Sequence, residues 1–172
     1  MKHIILIGFK SVGKTVIGKR LAQMLGRTFL DLDVAVERKH GKGMSCRAIV
    51  ASEGEEAFRT LESGALADIL KTNESVILAL GGGAVMSSVN QELLRAHTVV
   101  YISASPDALF ERIMKGGRPA FFSTDLTDRK AFDKLYTERE PIYEKSAKFK
   151  VQNEKGVKDT VEKIIKILHH TS

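Results

Sequence analysis

Gly8-Phe9-Lys10-Ser11-Val12-Gly13-Lys14-Thr15 satisfies the pattern G-x-x-x-x-G-K-[ST] at every fixed position. The flanking residues are those the pattern needs. Ile4-Ile5-Leu6-Ile7 is a continuously apolar, mostly β-branched run and reads as a fully buried strand. Beyond the motif, Ile17, Leu21, Met24 and Leu25 recur at near-helical spacing, and Gly26 marks the end of that helix. A strand, a glycine-bearing loop and a helix in this order turn backbone N–H groups inward. They also set a helix N-terminus, with its partial positive charge, against phosphate oxygens. Lys14 supplies a point charge for β- and γ-phosphates, and the Thr15 hydroxyl is a natural Mg²⁺ ligand. A chance match in a chain of 172 residues has a probability of roughly 1 in 100 or less at average residue frequencies. The motif marks a nucleotide site.

A P-loop does not specify a reaction. No guanine-reading segment of the Asn-Lys-x-Asp kind is present; Lys71-Thr72-Asn73-Glu74 is not one. The apolar run 75–80 ends in Gly81-Gly82-Gly83 rather than in the aspartate common to ATPases. A chain of 172 residues also leaves little room for a motor or DNA-handling domain. A compact kinase fits best.

Outward from the motif, Thr28-Phe29-Leu30 leads into Asp31-Leu32-Asp33, which reads as a second strand ending in acids. Residues 34–74 read as mainly helical, broken around 41–43 and near Gly54. Residues 75–80 form a third strand and Thr98-Val99-Val100-Tyr101-Ile102 a fourth. A helix follows over about 105–114, with Pro106 at its first position, where a missing N–H is harmless. Residues 115–127, with Gly116 and Gly117, hold no sustained periodicity and read as a mobile lid loop. A helix over about 128–144, a fifth strand at Phe149 and Val151, and an apolar helical stripe (Val157, Val161, Ile164, Ile165, Leu168) complete the chain. Strands separated by helices predict parallel βαβ packing: one α/β domain over residues 1–172 with helices on both faces.

Composition narrows the classes further. Cys46 is the only cysteine, so neither an intrachain disulfide nor a thiolate zinc cluster can form, and a reducing interior is expected. The apolar run near the start stops after four residues, too short for secretion or for crossing a bilayer. The net charge of +6 raises nucleic-acid binding, but the aromatic fraction is 6% and no basic stretch interleaves with stacking residues. The lysine-rich C-terminal stretch reads as a solvated helix face, and His169 and His170 as terminal polarity.

An acceptor site can be read from the remaining chemistry. Asp31 and Asp33, two apart in the expected strand, would point the same way into the crevice at the strand ends. One can hold Mg²⁺, and the other can orient an acceptor hydroxyl and take its proton. Gly81, Gly82 and Gly83, directly after a core strand, would let an acceptor approach the backbone closely. Arg59, three residues before Glu62, has a same-face partner to fix its direction. Arg59 and Arg139 could grip an acceptor carboxylate in the planar way lysine cannot, and Arg118, on the glycine-rich loop, could enter on closure to neutralise phosphoryl charge.

Taken in order, these segments resemble shikimate kinase over essentially the whole length. The resemblance runs through residues 8–15, Asp31-Leu32-Asp33 and the stretch 53–62 containing Phe58-Arg59-Thr60-Leu61-Glu62. It continues through Gly81-Gly82-Gly83-Ala84-Val85, Arg118-Pro119 and Arg139-Glu140-Pro141-Ile142-Tyr143. It implies a three-layer P-loop kinase fold, a five-stranded parallel sheet of order 2-3-1-4-5, and transfer of the ATP γ-phosphate to the 3-hydroxyl of shikimate. It further implies that Asp33, Arg59, Gly81, Gly82, Gly83 and Arg139 bind shikimate, with Asp33 nearest the reacting hydroxyl. Ser11, Val12, Gly13, Lys14, Thr15, Val16, Arg112 and Arg118 would hold ATP. Thr15 would ligate Mg²⁺ and Asp31 would organise it through water; Lys14, Asp33 and Arg118 would act in catalysis. A cytoplasmic monomer without nucleic-acid or membrane partners is the corresponding expectation. Family members usually carry glycine at the place of Ser11, which raises the question of a backbone conformation that serine adopts only at a cost. Another small-acid kinase, or a regulatory protein with slow ATP turnover, would use the same P-loop.

Overall fold

The computed structural model describes residues 2–170. Its first strand, β1 (Ile4–Ile7), is buried along its whole length and is followed, after the glycine-bearing loop, by α1 (Lys14–Leu25). Gly26 closes α1 in the left-handed region at φ 60°, its N–H donating to the Ala22 carbonyl. β2 (Phe29–Asp31) leads directly into α2 (Leu32–His40). Then come α3 (Cys46–Glu53), α4 (Glu55–Leu70), β3 (Ile77–Ala79), a single 3-10 turn (Ala84–Met86) and α5 (Ser88–Leu94). The chain finishes with β4 (Thr98–Ser103), α6 (Pro106–Met114), α7 (Asp128–Ser146), β5 (Phe149–Gln152) and α8 (Val157–His169).

The strands form one parallel sheet of order β2-β3-β1-β4-β5. β1 lies at the centre, with Ile4 beside Ile77 on one side and Thr98 on the other. Because the chain crosses to β3 on one side of β1 and to β4 on the other, the loops leaving these strands part and open a crevice at their carboxyl ends. The P-loop leaves β1 at that point. α1 packs with α8 over the sheet, while α7 packs against β4 and the 3-10 turn, giving the expected three layers. Ile5, Leu6, Leu78 and Ile102 are fully enclosed between them, which holds the crevice on a rigid base.

One expected element is different. The second strand does not run on to Asp33; it ends at Asp31, which caps α2 instead. The Asp31 carboxylate accepts the Asp33 N–H at 3.1 Å, satisfying one of the donors a helix start leaves open. Asp31 and Asp33 are therefore cap and first-turn residues of a helix, not neighbours on one strand face. Residues 115–127 contain neither helix nor strand, as expected, and are closed by short turns such as Phe122 N–H to the Pro119 carbonyl at 3.2 Å. No helix among the described residues is long and apolar enough to cross a membrane.

Candidate active site

The P-loop backbone is set by conformations that most side chains avoid. Gly8 lies at φ 142°, where an added Cβ would stand 2.3 Å from the Ile102 carbonyl oxygen. Gly13, at φ 101°, begins α1. Ser11 is the one non-glycine residue with positive φ among the described residues, at 63°, and it answers the question the sequence raised. A left-handed conformation costs an L-residue roughly 1–2 kcal/mol. Ser11→Gly is therefore expected to stabilise the fold by about 0.5–1 kcal/mol, after allowing for the extra unfolded-state entropy of glycine. The readout is a higher urea midpoint at unchanged m-value. A lower midpoint would mean that the Ser11 side chain holds the loop by more than its backbone strain.

Lys14 folds back across the loop and donates to the Gly8 and Phe9 carbonyls at 2.8 and 2.9 Å. Burial pushes its ammonium down to about 8, against the opposing pull of Asp33 and Asp31. The Thr15 hydroxyl donates to Asp31 at 3.0 Å, so the two expected metal residues are already adjacent. The loop is also braced from behind by Asn153, a residue to which the sequence reading gave no role. Its side-chain amide donates to the Val12 carbonyl at 2.8 Å and accepts from the Thr160 hydroxyl at 3.0 Å. A polar residue just past the last strand, at the crevice end of the sheet, is the available sequence signal.

A cavity of about 410 Å³ joins the P-loop to the glycine run. Ser11, Gly13, Lys14, Thr15 and Val16 border it on one side. Asp31, Asp33, Arg59, Gly81, Gly82, Gly83 and Arg139 line the wall opposite, with Lys10, Leu80 and Phe121, so the residues expected to meet an acceptor border one space. Val12 is buried behind the loop, and Val16 offers an exposed apolar flank. Asp33 is open to the cavity. Burial by the surrounding protein and then the Asp31 charge raise its carboxyl above the ordinary range, while Lys14 and Arg59 oppose them.

Arg59 is held on α4 by Glu62 at 2.9 Å and Glu55 at 3.2 Å, and its guanidinium lies over the Phe58 ring. Glu62 is buried, and burial raises its carboxyl despite the arginine beside it. Arg139 comes from α7, one turn before Tyr143. The Tyr143 hydroxyl donates to the Gly82 carbonyl and its ring stacks on Tyr101, so α7 fixes both the arginine and the middle of the glycine run.

Arg118 and Arg112 lie outside this cavity. Both border an adjoining space of about 730 Å³ between α3, the P-loop and residues 116–121. Arg118 donates to Asp128 at 2.6 Å and to the Ser123 carbonyl at 2.9 Å; Arg112 donates to the Asn153 carbonyl at 3.4 Å. Arg118 is thus tied to a carboxylate at the start of α7.

Comparison with known proteins finds relatives for the chain. The family model described as shikimate kinase matches residues 10–169. A shikimate kinase of Nitrosomonas europaea is 39% identical over 146 residues, covering 84% of this chain and 67% of its own. One from Francisella tularensis subsp. novicida is 37% identical over 165 residues, covering 95% and 92%. Among solved structures, the shikimate kinase from Acinetobacter baumannii in complex with shikimate superposes with a TM-score of 0.88 at 30% identity, covering 100% of this chain and 95% of that one. A gluconokinase from Sinorhizobium meliloti, at 17% identity and a TM-score of 0.63, shares the fold alone.

Proposed function

Because the chain belongs to the shikimate kinase family, we propose that it transfers the γ-phosphoryl group of ATP to the 3-hydroxyl of shikimate, releasing shikimate 3-phosphate and ADP. The observation that carries this reading is one cavity in which the P-loop, a carboxylate with a raised pKa and two guanidiniums face a glycine-lined wall.

Lys14 would exchange its two loop carbonyls for β- and γ-phosphate oxygens, which would also return its ammonium toward the ordinary range. The shikimate carboxylate would lie between Arg59 and Arg139, with the Gly82 N–H and its neighbours against the ring. That places the acceptor hydroxyl toward Asp33. The hydroxyl oxygen attacks the γ-phosphorus as the bond to the β-phosphate oxygen breaks in line, and the hydroxyl proton passes to Asp33. Residues 115–127 would act as the lid of this one-domain kinase, and Arg118 would reach the phosphates only by leaving Asp128. Closure would keep water from becoming the acceptor.

The donor set at Thr15 and Asp31 fits Mg²⁺. Two hard oxygens sit 3.0 Å apart beside the phosphate loop. Magnesium bound this way keeps most of its shell for water and phosphate oxygens. It would neutralise charge on the phosphates when bound.

The direct test is ADP production by purified protein with Mg-ATP, with and without shikimate. Strong shikimate-dependent release together with a phosphorylated shikimate product is expected. ATP binding without stimulation by shikimate would leave the nucleotide site standing and overturn the acceptor.

A further inference from the structure

Arg59 and Arg139 face the same cavity but are held by different means. Arg59 has two glutamates to direct it. Arg139 has no carboxylate within ion-pair distance among the described residues. It hydrogen-bonds the Tyr143 side chain, and its guanidinium carbon lies 5.7 Å from the centre of the Phe9 ring and 5.9 Å from that of Phe121. A guanidinium held by a phenol and over aromatic faces, with no internal acid beside it, still has N–H donors to offer a carboxylate.

The two rings differ in kind. Phe9 belongs to the P-loop, is 1% exposed and is wedged edge-on against Phe132. Phe121 belongs to the segment 115–127, is 38% exposed, and meets its neighbour Phe122 nearly at right angles. Phe122 is 2% exposed and anchors that segment in the core, which leaves Phe121 facing the cavity. The Lys10 ammonium stands 5.3 Å from the same Phe121 ring. One ring thus serves two cations, Lys10 and Arg139, that its negative faces attract.

We propose that Phe121 is a positioning residue for the acceptor: its ring completes the hold on Arg139 from the lid side, so that closure of the lid and alignment of the carboxylate-gripping guanidinium are one event. This rests on Arg139 being an acceptor arginine, as set out under the proposed function.

The test is a double-mutant cycle on calorimetric affinity for shikimate, which does not require turnover, with steady-state KM measured beside it. Phe121→Leu keeps apolar bulk at a part-exposed site and removes the aromatic face. It is expected to weaken shikimate binding roughly 3- to 10-fold. Phe121→Tyr keeps the face and should stay within about twofold of the parent. In an Arg139→Ala background the Phe121→Leu effect should vanish, whereas a general role in lid packing would leave it intact. Equal loss in both backgrounds, or parental affinity in Phe121→Leu, would overturn the proposal while sparing the acceptor site. Parental affinity in Arg139→Ala alone would remove the acceptor role of Arg139, and this inference with it.

Discussion

Replacing Asp33 with asparagine is expected to lower kcat by roughly 10²–10⁴-fold while calorimetric affinity for ATP stays close to that of the parent. The two members of the acidic pair are not equivalent. Both Asp31 oxygens are engaged, one by the Asp33 N–H and the other by the Thr15 hydroxyl. Asp31 is committed to the helix start and the phosphate side. Asp33 faces the cavity in the first turn of α2, with its side chain against Gly81. Its pKa is raised by burial and by Asp31, the direction that makes a carboxylate a better proton acceptor.

The sign of the pH dependence follows. The base works as its carboxylate, so kcat/KM should fall as pH drops through a pKa that lies above the ordinary aspartate value of about 4. In Asp33→Asn that acid limb should disappear from whatever activity remains. A kcat within tenfold of the parent, with the acid limb intact, would exclude Asp33 as the group that takes the proton.

The parts of this site that were legible in the sequence are those whose partners are local. The P-loop announces itself through fixed offsets between a strand and a helix. Arg59 and Glu62 are three apart on one helix, and the structure pairs them at 2.9 Å. The acidic pair was legible as a pair but not in its geometry. An aspartate at the end of a short edge strand is also a strong helix cap, and the N–H groups at the start of α2 decided the competition. What stayed hidden depends on distant contacts. Asn153 braces Val12 from 141 residues away, and no periodicity registers such a pair. Arg118 meets Asp128 across an aperiodic loop. The order of the strands came from family resemblance alone, since apolar runs define strands without saying which lie side by side. Ser11 is the reverse case, in which a departure from the usual glycine correctly flagged a left-handed backbone.

Gly81→Ala and Gly83→Ala should each cost activity by roughly 10- to 100-fold, the scale on which misplacing a reacting group by about an ångström acts, and in different kinetic parameters. A Cβ on Gly81 would stand 2.6 Å from an Asp33 carboxylate oxygen, and one on Gly83 would stand 2.8 Å from an Arg59 nitrogen. Neither glycine needs a left-handed conformation, so the backbone itself accepts alanine. The atoms displaced are the ends of two side chains, which can swing away without unfolding the sheet. The fold should therefore survive in both variants, with the thermal midpoint close to that of the parent. In the proposed reaction Asp33 receives the proton in the transferring complex, so Gly81→Ala should act mainly on kcat. In the same proposal Arg59 grips the acceptor before and during transfer, so Gly83→Ala should act mainly on KM for shikimate. Gly82 is the control between them: its added Cβ would come no nearer than 3.4 Å to any neighbour, so its loss of function should be the mildest of the three unless a bound acceptor fills that space. If Gly81→Ala and Gly83→Ala lowered the same parameter by the same factor, the run would act only as a flexible turn. A split between kcat and KM is what two separately placed side chains, one on each side of the acceptor, require.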